Sequence, residues 1–190
     1  MQDDRMRDGA FMNNLIAELT SETGWISVND AQATVPALSG LYAIFVDDAG
    51  SLPSPFNSHL LHKQTRLIYI GKADNLRKRL VADDLRHQGP STFFRGIGAI
   101  LGYTPPKGSL AGKSNQNNYR FSREDTTTIV GWIDAHLSVK WQTLGRDDVK
   151  IWEPHAIKAY GPLLNTQGNP AALPELAALR KRCREIALSD

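Results

Sequence analysis

Two short runs set most of what this chain can fold into. Gly40 to Asp47 (GLYAIFVD) and Arg66 to Gly71 (RLIYIG) concentrate β-branched and aromatic residues. The first ends in Asp47-Asp48-Ala49-Gly50 and reads as a buried strand. Residues 48–65 carry Gly50, Pro53, Pro55 and Asn57, which predict a long loop. With no crossover helix between them, the two strands are expected to pair antiparallel.

Helices are expected around this pair. Phe11, Leu15, Ile16 and Leu19 suit one helix face. Asp74 is a candidate cap for a helix to about His87, with Leu76, Leu80 and Val81 as its apolar stripe. Ser91 caps a second from Thr92 to about Leu101, and Ser122 with Asp125 forms a capping box for a third. Leu137, Val139 and Trp141 alternate as a third, half-buried strand. A helix from about Asp147 to Tyr160 stops at Gly161-Pro162, and Pro174 opens the last helix, to Leu188. The expected fold is α+β: a small, three-stranded, mainly antiparallel sheet flanked by helices, with residues 88–136 inserted before the third strand.

Composition narrows the function classes. The 190 residues contain 41 % apolar and 22 % charged side chains, ordinary globular usage. Cys183 is the single cysteine, which excludes an internal disulfide and a cysteine-based zinc finger. Met1 to Ala10 is polar and charged, unlike a secretory signal. No apolar run nears the ~18 residues of a membrane span. The expected location is cytoplasmic, with no membrane partner. The net charge of +2 does not by itself indicate nucleic acid.

Antiparallel pairing brings the start of the first strand beside the end of the second, so Tyr42 and Tyr69 can meet. Alone, such a pair reads as core packing; with a neighbour that lowers its pKa, a phenol can take a proton. Lys72 follows Tyr69 by three positions and Arg79 by ten. On an α-helix Arg79 would sit one turn from Asp83, a solvated pair worth roughly 0.3–0.5 kcal/mol. Its planar fork also suits a phosphate. Glu153 lies in the helix after the third strand, and Asn165 follows twelve residues later.

In this order, Gly40-Leu41-Tyr42, Tyr69-Ile70-Gly71, Lys72, Arg79, Glu153 and Asn165 resemble the signature of the GIY-YIG nuclease family, with Leu in place of the first Ile. The resemblance covers about residues 38–170. It implies a nuclease domain there, with residues 1–37 as an N-terminal helical extension and 171–190 as a basic helix packed on the same domain. It further implies hydrolysis of DNA phosphodiesters with one divalent cation, Mg²⁺ or Mn²⁺, held by Glu153. Lys72 and Arg79 would neutralise the phosphate, Tyr69 or Tyr42 would activate water, and Asn165 would hold Glu153 or a loop. DNA, double-stranded or branched, is the implied partner. One site cuts one strand, so a double-strand break would need a homo-oligomer. The alternative is a nucleic-acid-binding module of the same fold without turnover. Arg77 competes with Arg79 if the helix register differs.

Arg95, Lys107, Lys113, Arg120 and Arg123 form a run of 29 residues with no Asp or Glu, interleaved with Tyr103, Tyr119 and Phe121. Such a patch suits phosphate contacts, and suits equally an ordinary basic loop. Gly108 to Ser114 (GSLAGKS) has three residues between its glycines where a P-loop needs four. Arg180, Lys181, Arg182 and Arg184 read as the solvated face of the last helix, with Leu176 and Leu179 facing the core.

Overall fold

The computed structural model describes residues 2–189, and side chains from residue 9 onward. The elements run α1 (Gln2–Thr20), β1 (Ile26–Ser27), α2 (Val28–Thr34), β2 (Gly40–Val46), α3 (Phe56–Lys63), β3 (Leu67–Ala73), a π-helix (Arg77–Leu85), α4 (Thr92–Ile100), α5 (Arg123–His136), β4 (Leu137–Thr143), α6 (Arg146–Tyr160) and α7 (Pro174–Leu188). The four strands lie in the order β1-β4-β2-β3, all antiparallel. The fold is therefore mixed α+β with helices on both faces of the sheet.

The expected three strands are joined by a fourth. Ile26 and Ser27 pair with Val139 and Ser138 of β4. Two residues show no alternation, so only the sheet edge they meet reveals them. Residues 48–65 are likewise not all loop. A 3₁₀ turn (Ala49–Ser51) precedes α3, which buries Phe56 and Leu60, one turn apart. The prolines that suggested a loop all precede the first turn of α3, where they break no hydrogen bond. In α1 the buried stripe is Met12, Ile16 and Leu19, while Phe11 is exposed.

β2 is central and buried along its whole length. Tyr42, Ile44 and Val46 face a core built with α2, α3, α4, α5 and α7. Leu41, Ala43 and Phe45 face a smaller one built with α1 and α6. This period-two division of one strand places α6 on the opposite side of the sheet from α4.

Several caps form as the sequence predicts. Ser91 Oγ accepts from Phe94 N at 2.8 Å, and Ser122 Oγ from Asp125 N at 3.0 Å. Gly161 ends α6 in the left-handed region (φ 54°). The segment after β3 departs from expectation. Asn75, not Asp74, accepts from Lys78 N (2.9 Å), and the helix is π-wound rather than α. Residues five apart then meet: Lys78 with Asp83 at 2.9 Å and Arg79 with Asp84 at 3.4 Å. On an α-helix they would point about 140° apart. The expected Arg79–Asp83 pair is replaced for that reason.

Candidate active site

Tyr42 pairs in register with Gly71, and Ile44 with Tyr69. Tyr42 and Tyr69 are thus diagonal neighbours on one face, with ring centroids 6.1 Å apart. A Cβ on Gly71 would collide with the Tyr42 ring, and one on Gly40 with the Gln142 backbone and Leu76. Both tripeptides contain glycine because a side chain or strand crosses it closely.

Tyr42 is fully buried, and its phenol donates to the carboxylate of Asp84. Ser91 Oγ donates to the other carboxylate oxygen at 2.6 Å, which Arg79 also approaches. Arg79 Nη1 additionally donates to Pro90 O at 2.7 Å. Burial raises the Asp84 pKa, against the pull of Arg79, Ser91 and Tyr42. Burial and the Asp84 charge hold the Tyr42 phenol well above its ordinary value. Burial lowers the Arg79 pKa, but Asp84 and the two tyrosines raise it by more, so the guanidinium stays charged.

Tyr69 connects this buried group to an open cleft. Its own pKa is raised by burial and by Asp84, while the neighbouring Arg79 pulls it down. It lines a cleft of about 410 Å³ with Lys72, Glu153, Thr92 and the loop around Asn165. Lys72 alternates to the opposite face of β3 from Tyr69, where Nζ meets Glu153 of α6 at 2.7 Å. The cleft therefore straddles the sheet edge at β3. Pro154, inside α6, also lines it.

Asn165 reaches β3, not Glu153. Its Oδ1 accepts from Ile70 N and its Nδ2 donates to Ile70 O, both at 2.9 Å. Leu164 N donates to Ile68 O at 2.8 Å. The side chain and this loop thus satisfy the open edge of β3 where another strand would have paired. Asn169 Nδ2 in turn donates to Asn165 O at 2.8 Å, bracing the loop.

The remaining cations are dispersed. Arg77 donates to Val35 O (3.0 Å) and Ala33 O (3.4 Å) near the end of α2. Lys107, Lys113, Arg120 and Arg123 are exposed. Tyr119 and Phe121 are buried in the core rather than presented between them. Arg95 is half-buried against Asn118 and the Tyr119 ring. Arg180, expected in solvent, instead packs inward and donates to Thr92 O (3.3 Å), Leu164 O (3.1 Å) and Thr166 Oγ1 (3.3 Å).

Asp84, Thr92 and Arg180 were not legible as site neighbours. Asp84 lies out of α-helical phase with Arg79, and the other two reach the cleft only through packing.

Among the described residues no three or more His, Cys, Asp or Glu side chains cluster to hold a metal. The cleft offers one carboxylate, Glu153, beside open volume. A hard cation that keeps most of its waters and takes phosphate oxygens fits such a site. No described helix is long and apolar enough to cross a membrane.

A family model described as the GIY-YIG catalytic domain matches residues 40–185. It spans both tyrosine strands, the π-helix, β4, α6 and most of α7. No match to the chain was found among curated proteins or among solved structures.

Proposed function

Because the chain belongs to the GIY-YIG family of nucleases, we propose that it is a divalent-metal-dependent endonuclease hydrolysing DNA phosphodiester bonds. The observation that carries this reading is that Tyr69, Lys72, Glu153 and the Asn165 loop line one shared cleft.

Glu153 would hold one Mg²⁺ or Mn²⁺. Nucleases of this family generally use divalent metal ions, and such an ion supplies positive charge to the phosphate and leaving oxygens. Lys72, which lines the cleft, would neutralise the charge that the phosphate gains in the transition state, and Arg79, paired with Asp84 and bonded to Tyr69, would support it from outside the cleft lining. Burial and Asp84 keep the Tyr69 phenol protonated. Tyr69 Oη, which borders the cleft, would therefore take the proton of the attacking water only after giving its own to solvent, a loss that Arg79 and a cation held by Glu153 would favour. The water oxygen would bond to phosphorus as one P–O ester bond breaks, and the departing oxygen would take a proton from solvent to leave as a hydroxyl. Tyr42, whose proton is engaged by Asp84, sets the position of Tyr69 and Arg79 rather than acting as a base. Asn165 keeps the cleft wall on β3.

Incubation with supercoiled plasmid tests the proposal. Nicking that requires Mg²⁺ or Mn²⁺ and stops with EDTA is the expected result. A nucleic-acid-binding module without turnover would retain the plasmid and leave it intact. Neither binding nor nicking would overturn both readings.

A further inference from the structure

A second, smaller cleft lies beside the first. It has a volume of about 230 Å³ and is lined by Thr92, Arg95, Asn117, Tyr119, Arg180 and Arg184. Three of its six lining residues are arginines and none is acidic. Among the described residues, none of the three arginines pairs with a carboxylate. Their bonds go to neutral oxygens: Arg95 to Asn118 Oδ1, Arg184 to Asn117 Oδ1, and Arg180 to the carbonyls of Thr92 and Leu164. Arg180 Nε is buried without a partner. Buried guanidinium groups without counter-charge are costly. Burial lowers the pKa of both Arg95 and Arg180; Tyr119 opposes it in each, and like charge adds a smaller lowering, from Arg79 on Arg95 and from Arg95 on Arg180.

The position of the cleft suggests what supplies the missing charge. Thr92 borders both clefts and is the first residue of α4, whose N-terminal end also favours an anion. We propose that the Arg95–Arg180–Arg184 cleft is a second phosphate subsite, which seats a non-scissile backbone phosphate of the strand being cut. The inference rests on the nuclease reading and deepens it. A strand with its scissile phosphate over Tyr69 and Lys72 passes Thr92 into the arginine cleft. Arg184, the exposed member, meets the phosphate from the solvent side. Arg95 contributes from α4, and Arg180 supplies buried charge while tying α7 to the wall between the clefts.

Fluorescence anisotropy with a labelled DNA duplex, in EDTA and across a salt series, tests this without cleavage. Arg184→Gln is expected to reduce the slope of log affinity against log salt by about one unit, while Arg184→Lys retains the wild-type slope. Thermal melting of each variant checks that the fold is kept. Arg95→Gln provides a second reading from the other wall. If the wild-type protein binds DNA and both Gln variants keep its slope, the subsite is overturned while the nuclease reading stands. If the wild-type protein neither binds nor cuts DNA, the nuclease reading itself falls and takes the subsite with it.

Discussion

Tyr42 and Asp84, 42 residues apart, are joined by a hydrogen bond in the protein interior, the phenol donating to the carboxylate. Asp84 is fully buried and also accepts from Ser91 and pairs with Arg79. One carboxylate thus locks the first tyrosine strand, the π-helix and the start of α4. Tyr69, packed beside Tyr42, links this group to the cleft. Tyr42→Phe keeps the ring and removes one donor from a buried charge. It is expected to cost about 1–3 kcal/mol in urea denaturation. Ser91→Ala acts on the same carboxylate, and the double variant should depart from additivity.

Gly71 faces the Tyr42 ring across the β2–β3 ladder, and that ring is held by Asp84. Gly71→Ala has no room for its methyl group. A destabilisation of about 3 kcal/mol is expected, read as a lowered denaturation midpoint at unchanged slope.

Glu153→Gln keeps the shape of the side chain and removes its charge, freeing Lys72. Metal-dependent nicking is expected to fall about 10²–10³-fold with DNA binding retained. Wild-type nicking rates in this variant would exclude Glu153 as the metal anchor.

Arg79 and Arg77 differ in what they hold. Arg79→Ala strips a buried carboxylate of its cation, so both turnover and about 3 kcal/mol of stability should be lost. Arg77→Ala releases two carbonyls at the end of α2, Ala33 O and Val35 O, and is expected to cost about 1 kcal/mol, with reduced DNA affinity and turnover preserved. Comparing nicking at saturating DNA with denaturation of both variants checks the assignment.

His87 is buried against Phe94 with neither ring nitrogen bonded. Burial, then the charges of Arg120 and Arg95, lower its pKa from 6.5 to about 4. The unfolded chain therefore binds this proton first as pH falls. The contribution is fully present above pH 6.5 and is lost progressively down to about pH 4, up to about 3 kcal/mol. Denaturation of wild type and His87→Phe between these limits should show a flatter pH dependence in the variant.

Much of this protein could be read along the chain. β2 and β3 announce themselves by dense β-branched and aromatic residues, and the caps at Ser91, Ser122, Gly161 and Pro174 by local chemistry. These features depend on contacts within a few residues, which is why they are legible. Glycine, tyrosine, arginine and glutamate in a fixed order also suffice to resemble the family that residues 40–185 match.

Tertiary structure decided the rest. β1 is a strand only because β4 offers an edge, and Asn165 serves β3 only because that edge is otherwise unpaired. Arg180 became a buried tie, although its neighbours in sequence are solvated. Above all, Asp84 meets Arg79 through a π-helical turn that no 3.6-residue periodicity encodes, and Tyr42 through a fold-wide approach. Burial and long-range pairing depend on the whole packed chain, so the carboxylate that organises this site could be identified only in three dimensions.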